Sequence, residues 1–155
     1  MGKVEIREMQ QNDYAGVRTV DELTQKQYHG IDWDRLSKEE KELCLKSRAS
    51  EFELNVKTGY CYVAIREGKI VGFVLAQETL PFCGTIYIRH IAIDPDYQGS
   101  GIGPQLYEAV IKRAKETGMK RITSLINPDN PPSLKLHEKT GFELIDRKEA
   151  VLWLR

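Results

Sequence analysis

The stretch Ile91-Ala92-Ile93-Asp94-Pro95-Asp96-Tyr97-Gln98-Gly99-Ser100-Gly101-Ile102-Gly103-Pro104 constrains the fold of this chain more than any other. It opens as a strand, because Ile86, Ile88, Ile91 and Ile93 supply the β-branched enrichment that a buried strand favours. Asp94-Pro95 ends that strand, since proline has no N–H to give to a ladder. Glycines then alternate at 99, 101 and 103, and Pro104 takes a place that a first helical turn tolerates. From Leu106 the apolar spacing becomes helical, with Leu106, Val110 and Ala114 on one stripe. The segment therefore predicts strand, glycine turn and helix N-terminus in succession.

Such an arrangement suits an anion. Glycine permits left-handed backbone and close approach of a ligand. The first helical N–H groups are unpaired and carry the positive end of the helix dipole. Phosphate or pyrophosphate is the natural guest. Two familiar motifs are excluded: a dinucleotide fingerprint needs G-x-G-x-x-G, and a Walker loop needs a lysine and a hydroxyl residue after its second glycine. A nucleotide-binding reading is disfavoured on those grounds.

These residues resemble one family. Gln98-Gly99-Ser100-Gly101-Ile102-Gly103 is similar to the Q/R-x-x-G-x-G/A signature of the GNAT superfamily of acyl-CoA-dependent N-acyltransferases. Ile93-Asp94-Pro95-Asp96-Tyr97 matches the segment that precedes that signature, and residues 130–142 resemble the second motif, ending in Gly141-Phe142. The likeness covers residues 84–142 well and the N-terminal half in outline. It implies an α/β (mixed α+β) GNAT fold: a central mixed, mostly antiparallel sheet of six or seven strands, splayed between strands 4 and 5 and flanked by about four helices.

Composition sets the outer bounds. At 155 residues without a compositional break, the chain reads as one domain, 1–155. Hydrophobic residues are 41% and charged residues 30%, with Lys+Arg and Asp+Glu both 23, so no broad basic surface points to nucleic acid. The N-terminus lacks a signal h-region and no apolar run reaches spanning length, which gives the expectation of a cytoplasmic protein without a membrane segment. Cys44, Cys61 and Cys83 read as reduced thiols. His29, His90 and His137 lack metal-ligand spacing, so no metal is expected.

In chain order, alternation over 4–9 predicts a first strand. Asn12 or Asp13 caps a helix with the stripe Tyr14, Val17, Val20 and Thr24, and residues 27–33 break it. Ser37-Lys38-Glu39-Glu40 has the form of a capping box opening a second helix, whose weak stripe is Leu36, Leu43 and Ala49. Strands follow over 60–66 and 69–77, antiparallel around Glu67-Gly68. A loop over 78–84 leads to the strand 85–93. The glycine-turn helix ends near Gly118, and the strand 121–126 runs parallel to its predecessor. Asn130 caps a last helix begun by Pro131-Pro132, and strands close the chain over 142–146 and 151–154.

The resemblance implies that the protein binds coenzyme A and moves an acetyl or other short acyl group from acetyl-CoA to a primary amine. Gln98, Gly99, Ser100, Gly101, Ile102, Gly103 and Pro104 would hold the pyrophosphate. Ile91, Ala92 and Ile93 would offer backbone groups to the pantetheine arm as a neighbouring strand does, and Asn130 is a further cofactor contact. The usual family acid is a tyrosine seven residues beyond the asparagine of the second motif. Here that position holds His137, as in the phosphinothricin acetyltransferase branch. No carboxylate stands on the fifth strand where several relatives keep a base, so His90 is the candidate, acting through water. Tyr28, His29 and Trp33 lie in the family's acceptor region, and as polar aromatics they equally suit a satellite cluster over the core edge. A homodimer is a family expectation. The competing class is a non-catalytic acyl-CoA-binding or regulatory module of the same fold, and the acceptor, the acyl preference and the base stay open.

Overall fold

The computed structural model describes residues 2–79 and 84–154. They form two compact units, Met1–Leu125 and Ile126–Arg155.

The first unit is built on an open five-stranded sheet in the order β1-β2-β3-β4-β5. The strands are β1 (Glu5–Glu8), β2 (Tyr62–Arg66), β3 (Lys69–Glu78), β4 (Thr85–Ile93) and β5 (Arg121–Ser124). Neighbours pair antiparallel except β4 with β5, which are parallel. Four helices flank the sheet in this unit: α1 (Tyr14–His29), α2 (Lys38–Cys44), α3 (Ala49–Lys57) and α4 (Ile102–Glu116). The mixed, mostly antiparallel sheet agrees with the expectation from sequence. Strand β3 is central, with every residue from Val71 to Ala76 buried.

Period-two alternation assigns the helices to opposite faces. Val17 and Val20 of α1 and Phe52 of α3 close over Phe73, Leu75 and Ala92 in one core cluster. On the other face Ile102, Leu106, Tyr107, Val110 and Ala114 of α4 are buried. Gly72 lets α4 approach there. A Cβ at that position would stand 2.9 Å from the Ile93 side chain and 3.3 Å from that of Ile102, tighter than close packing allows.

Two expectations from sequence need correction. The helix opening at Ser37 is two helices. The capping box forms, with Ser37 Oγ accepting the Glu40 amide and Glu40 accepting that of Ser37. The chain then turns extended at Leu45, and the amides of Lys46 and Ser47 bond the buried Asp21 carboxylate at 2.7 Å each. A helix continued through 45–48 would give up those bonds, so Asp21 fixes the break. The sheet has five strands rather than six or seven, because 142–146 and 151–154 form no strand ladder among the described residues. Leu144, Ile145, Val151, Leu152, Trp153 and Leu154 are exposed, and an alternating apolar pattern makes a strand only beside a ladder partner. The 78–84 loop lies mostly outside the described residues.

The second unit holds α5 (Pro131–Lys139) and the segments before and after it. Asn130 caps α5 as anticipated, its Oδ1 accepting the Ser133 amide. Pro131 and Pro132 occupy first-turn positions, where no intrahelical N–H bond is lost.

Candidate active site

Gly99 and Gly101 are both left-handed, with φ of 76° and 82°. Gly101 is the residue that caps α4. A Cβ at either position would meet nothing within 4 Å among the described residues, so conformation and open approach, not internal packing, call for glycine there. The amides of residues 99–103 have no acceptor among the described residues, and the first turn of α4 carries no acidic side chain. The turn is braced from both sides. Asp94 caps the short turn Pro95–Tyr97 by accepting the Asp96 amide, and its buried carboxylate also receives Lys69. Ser100 donates to the Tyr97 carbonyl. Gln98 and Gln27 exchange side-chain bonds at 2.9 and 3.2 Å, which fixes the end of α1 beside the turn.

Strand β4 supplies an open edge next to this turn. Strand β5 pairs only with Thr85 through Ile88, so Arg89 to Ile93 have no strand on that side among the described residues. The Asp94 amide bonds Val71 O at 2.9 Å, which sets the phase. Ala92 shares the phase of Asp94, so its backbone groups face β3, while those of Ile91 and Ile93 turn to the open side. The Ile93 carbonyl there accepts Gln98 Nε2 at 3.1 Å. The register with β3 also slips, Leu75 facing His90 but Ala76 facing Ile88. Arg89 is thus the extra residue of a β-bulge, a device that bends a strand and re-aims its side chains. Sequence reading gave no sign of it, since a bulge is a property of pairing. Arg89 is ion-paired with Glu51 of α3.

His90 follows the bulge and points to the α1 face, its ring 5.8 Å from that of Phe73. Burial drives its pKa from 6.5 down to about 4, opposed by the charge of Asp21. It is therefore neutral at physiological pH. A stability prediction follows from the sign. Between pH 6.5 and about 4 the unfolded chain binds a proton at this site and the folded chain does not. Stability should fall as pH drops through that window and level off below it, and His90→Gln should flatten this part of a melting-temperature profile. Asp13, whose carboxyl is held below its usual 3.8 chiefly by the Arg7 hydrogen bond, acts at lower pH. His137, also lowered from 6.5 by burial, acts in the same window, so the difference between parent and His90→Gln isolates the His90 part.

At the end of α1, Tyr28 is 73% exposed while Trp33 is buried. His29 bridges them, with ring centroids 5.2 Å from Tyr28 and 5.9 Å from Trp33. Lys41 sits over the Trp33 ring at 5.6 Å. A cleft of about 440 Å³ opens beside Trp33, among Arg18, Glu22, Lys41, Glu42 and Leu45. Tyr28 and His29 do not line it.

In the second unit His137 is buried, with its ring edge-on to Phe142 at 5.0 Å. Its Nδ1 lies 2.7 Å from the Ser133 carbonyl, four residues back. A carbonyl only accepts, so Nδ1 carries the proton and Nε2 is the atom of the neutral ring that takes one. Burial lowers its pKa, against the opposing effect of the Ser133 bond. This contact lets Ser133 hold the ring through its backbone carbonyl. It also means that the neutral ring's N–H is already engaged.

Residues 18–142 match the model of the acetyltransferase (GNAT) family. The chain belongs to that family. The L-methionine sulfoximine/L-methionine sulfone acetyltransferase of Pseudomonas aeruginosa is 28% identical over 109 residues, covering 64% of this chain and 60% of that protein. The mycothiol acetyltransferase of Brachybacterium faecium is 33% identical over 89 residues, covering 55% of this chain and 26% of that protein. The matched region thus spans less than two thirds of either relative. Among solved structures, the PaiA N-acetyltransferase from Thermoplasma acidophilum in complex with coenzyme A superposes with a TM-score of 0.79 at 19% identity, covering 94% of this chain and 93% of that one. An aminoglycoside acetyltransferase from an uncultured soil metagenomic sample, in complex with sisomicin, gives a TM-score of 0.70 at 18% identity, covering 98% and 96%. At these identities the two likenesses are of fold.

Proposed function

We propose that this protein is an N-acetyltransferase that takes an acetyl or other short acyl group from acetyl-CoA and passes it to a primary amine. One observation carries the reading: acceptor-less amides at 99–103 stand at the end of the same strand whose second half keeps an open edge. A pyrophosphate fits the first feature, because five successive amides and a helix dipole need no basic side chain. An extended arm bearing amides fits the second, because Ile91 and Ile93 present strand-like donors and acceptors. Gln98 would release the Ile93 carbonyl as the arm takes its place. An Ile91 amide directed at the thioester carbonyl would stabilise the oxyanion. Asn130 is the proposed further contact from the second unit.

The reaction removes two protons from the ammonium nitrogen. His90, neutral at working pH, takes the first and returns it to solvent, leaving a free amine to attack. His137 takes the second at Nε2 once the new C–N bond has formed, and gives it to the sulfur as the C–S bond breaks. Its Nδ1–H stays on the Ser133 carbonyl throughout. Holding the amine against the thioester supplies much of the remaining rate.

Tyr28, His29 and Trp33 are proposed to border the acceptor. Trp33 is buried, so its truncation lowers stability whatever its role. Exposed Tyr28 separates the two effects. Tyr28→Ala should raise the KM for the amine severalfold, with the melting temperature and acetyl-CoA affinity unchanged. An unaltered KM for every accepted amine would make the aromatic group structural.

The free thiols Cys44 and Cys61 support the cytoplasm as the proposed compartment, and a homodimer rests on the family resemblance. The reading as a whole is tested by following thiol release from acetyl-CoA with a panel of primary amines. Binding of acetyl-CoA without release would favour the non-catalytic acyl-CoA-binding module.

A further inference from the structure

Beneath the open half of β4 the first unit encloses a polar cluster that neither the glycine turn nor the open edge explains. Asp21 of α1 is fully buried in the apolar stripe of its helix. Its Oδ2 accepts the amides of Lys46 and Ser47 at 2.7 Å, but its Oδ1 is buried with no hydrogen-bond partner among the described residues. Ser47 Oγ and His90 Nε2 are likewise buried without a partner among the described residues. His90 nevertheless keeps partial exposure as a residue, and its Nδ1 is not among the shut-in atoms. Buried polar atoms left unpaired cost on the order of 1–3 kcal/mol each; the Ser47 amide bond joins two of these residues, and the charge of Asp21 acts on the third, His90.

We infer that Asp21, Ser47 and His90 form one buried proton relay, in which Asp21 is the positioning residue that holds and stabilises the His90 ring as it receives the acceptor's proton. The inference rests on the proposed role of His90 and extends it. The proton leaves the ammonium and adds to the ring nitrogen turned outward. The shut-in Nε2–H then faces the Asp21 carboxylate, with Ser47 Oγ completing the contact, and the proton later departs to solvent from the outward nitrogen. No electrons change hands. The charged groups around the ring fit this direction. Asp21 favours the imidazolium, while Lys46 and Arg89 oppose it. The Arg89 charge is itself paired with Glu51 of α3, and on β3 the ring lies by Phe73 while Leu75 is its register partner.

The test is an NMR titration of the histidine ring signals in the full chain, for the parent, Asp21→Asn and Ser47→Ala, with His90→Gln to assign the His90 signal. Asp21→Asn should move the His90 midpoint further down, by about one pKa unit, with the fold retained. Turnover should fall about tenfold or more with the acetyl-CoA KM unchanged, and His90→Gln should fall at least as far. An unshifted His90 midpoint in folded Asp21→Asn would overturn the relay. If Asp21→Asn does not fold, Ser47→Ala decides, since it keeps the carboxylate and both amide bonds: the relay requires its His90 midpoint to drop, and an unchanged midpoint overturns it. Thiol release absent from the parent with every amine would sink the transferase reading instead, and the relay with it, even where the titration still shows Asp21 acting on His90.

Discussion

Gly101→Val should fold and should lose coenzyme A binding. Gly101 sits at φ 82° as the cap of α4, a conformation that costs a β-branched residue about 1–3 kcal/mol. A domain stable by about 5–15 kcal/mol survives that. The new side chain would enter open space, since nothing lies within 4 Å of the added Cβ. That space is where a pyrophosphate must come to reach the amides of 99–103. Affinity should therefore fall by about 100-fold or more, as the loss of even two good anion contacts implies. Gly118→Val is the matched control. Gly118 follows the other end of α4 at φ 75°, and its added Cβ also meets nothing. It should lower the melting temperature by a similar amount and leave coenzyme A binding intact. Calorimetry on both variants separates strain from blockage, and equal loss of binding in the two would remove the turn from the site.

His137→Ala is expected to cut turnover by about 100-fold, the typical cost of losing a proton-transfer group, with acetyl-CoA affinity nearly unchanged. The Ser133 carbonyl fixes which nitrogen is available. A neutral ring is the working form, and burial favours it. The sign is therefore definite: in the parent kcat should be level above the ordinary histidine pKa of about 6.5 and fall on the acid side, and the alanine variant should lose the part of that limb due to His137. His137→Tyr should recover some turnover through its hydroxyl. A variant within about twofold of the parent, where a general acid or base would be worth far more, would shift the role to Tyr87 or Tyr97. Tyr97 lies beneath the cations of Arg66 and Lys69.

What could be read from sequence was local. The 85–93 strand, the glycine turn, the Ser37 capping box and the Asn130 cap depend on neighbours within a few positions, so their residue types sufficed, whereas Asp13 begins α1 without a side-chain cap bond. The parallel pairing of β4 with β5 followed from a short helical crossover. The features that escaped join distant residues. The bulge at Arg89 depends on how β3 pairs. The break between α2 and α3 depends on Asp21, some two dozen positions earlier in the chain, and a mid-helix aspartate in an apolar stripe was the available signal. The link between Asp21 and His90 has no sequence signature. The closing strands were over-read because alternation records a preference and not a partner. At the candidate site the outward phase of Ile91 and Ile93 and the exposure of Tyr28 needed coordinates, whereas the residues themselves did not.

The central claim is that the open edge of β4 and the amides of 99–103 serve acyl transfer to an amine. Incubating the purified protein with acetyl-CoA and a panel of amino acids, polyamines, aminoglycosides and peptide N-termini, and following free thiol, tests it most directly. The account predicts amine-dependent thiol release for at least one class, saturable in acetyl-CoA and abolished by Gly101→Val. Release no faster than in the absence of amine across the whole panel, with coenzyme A still bound, would contradict it.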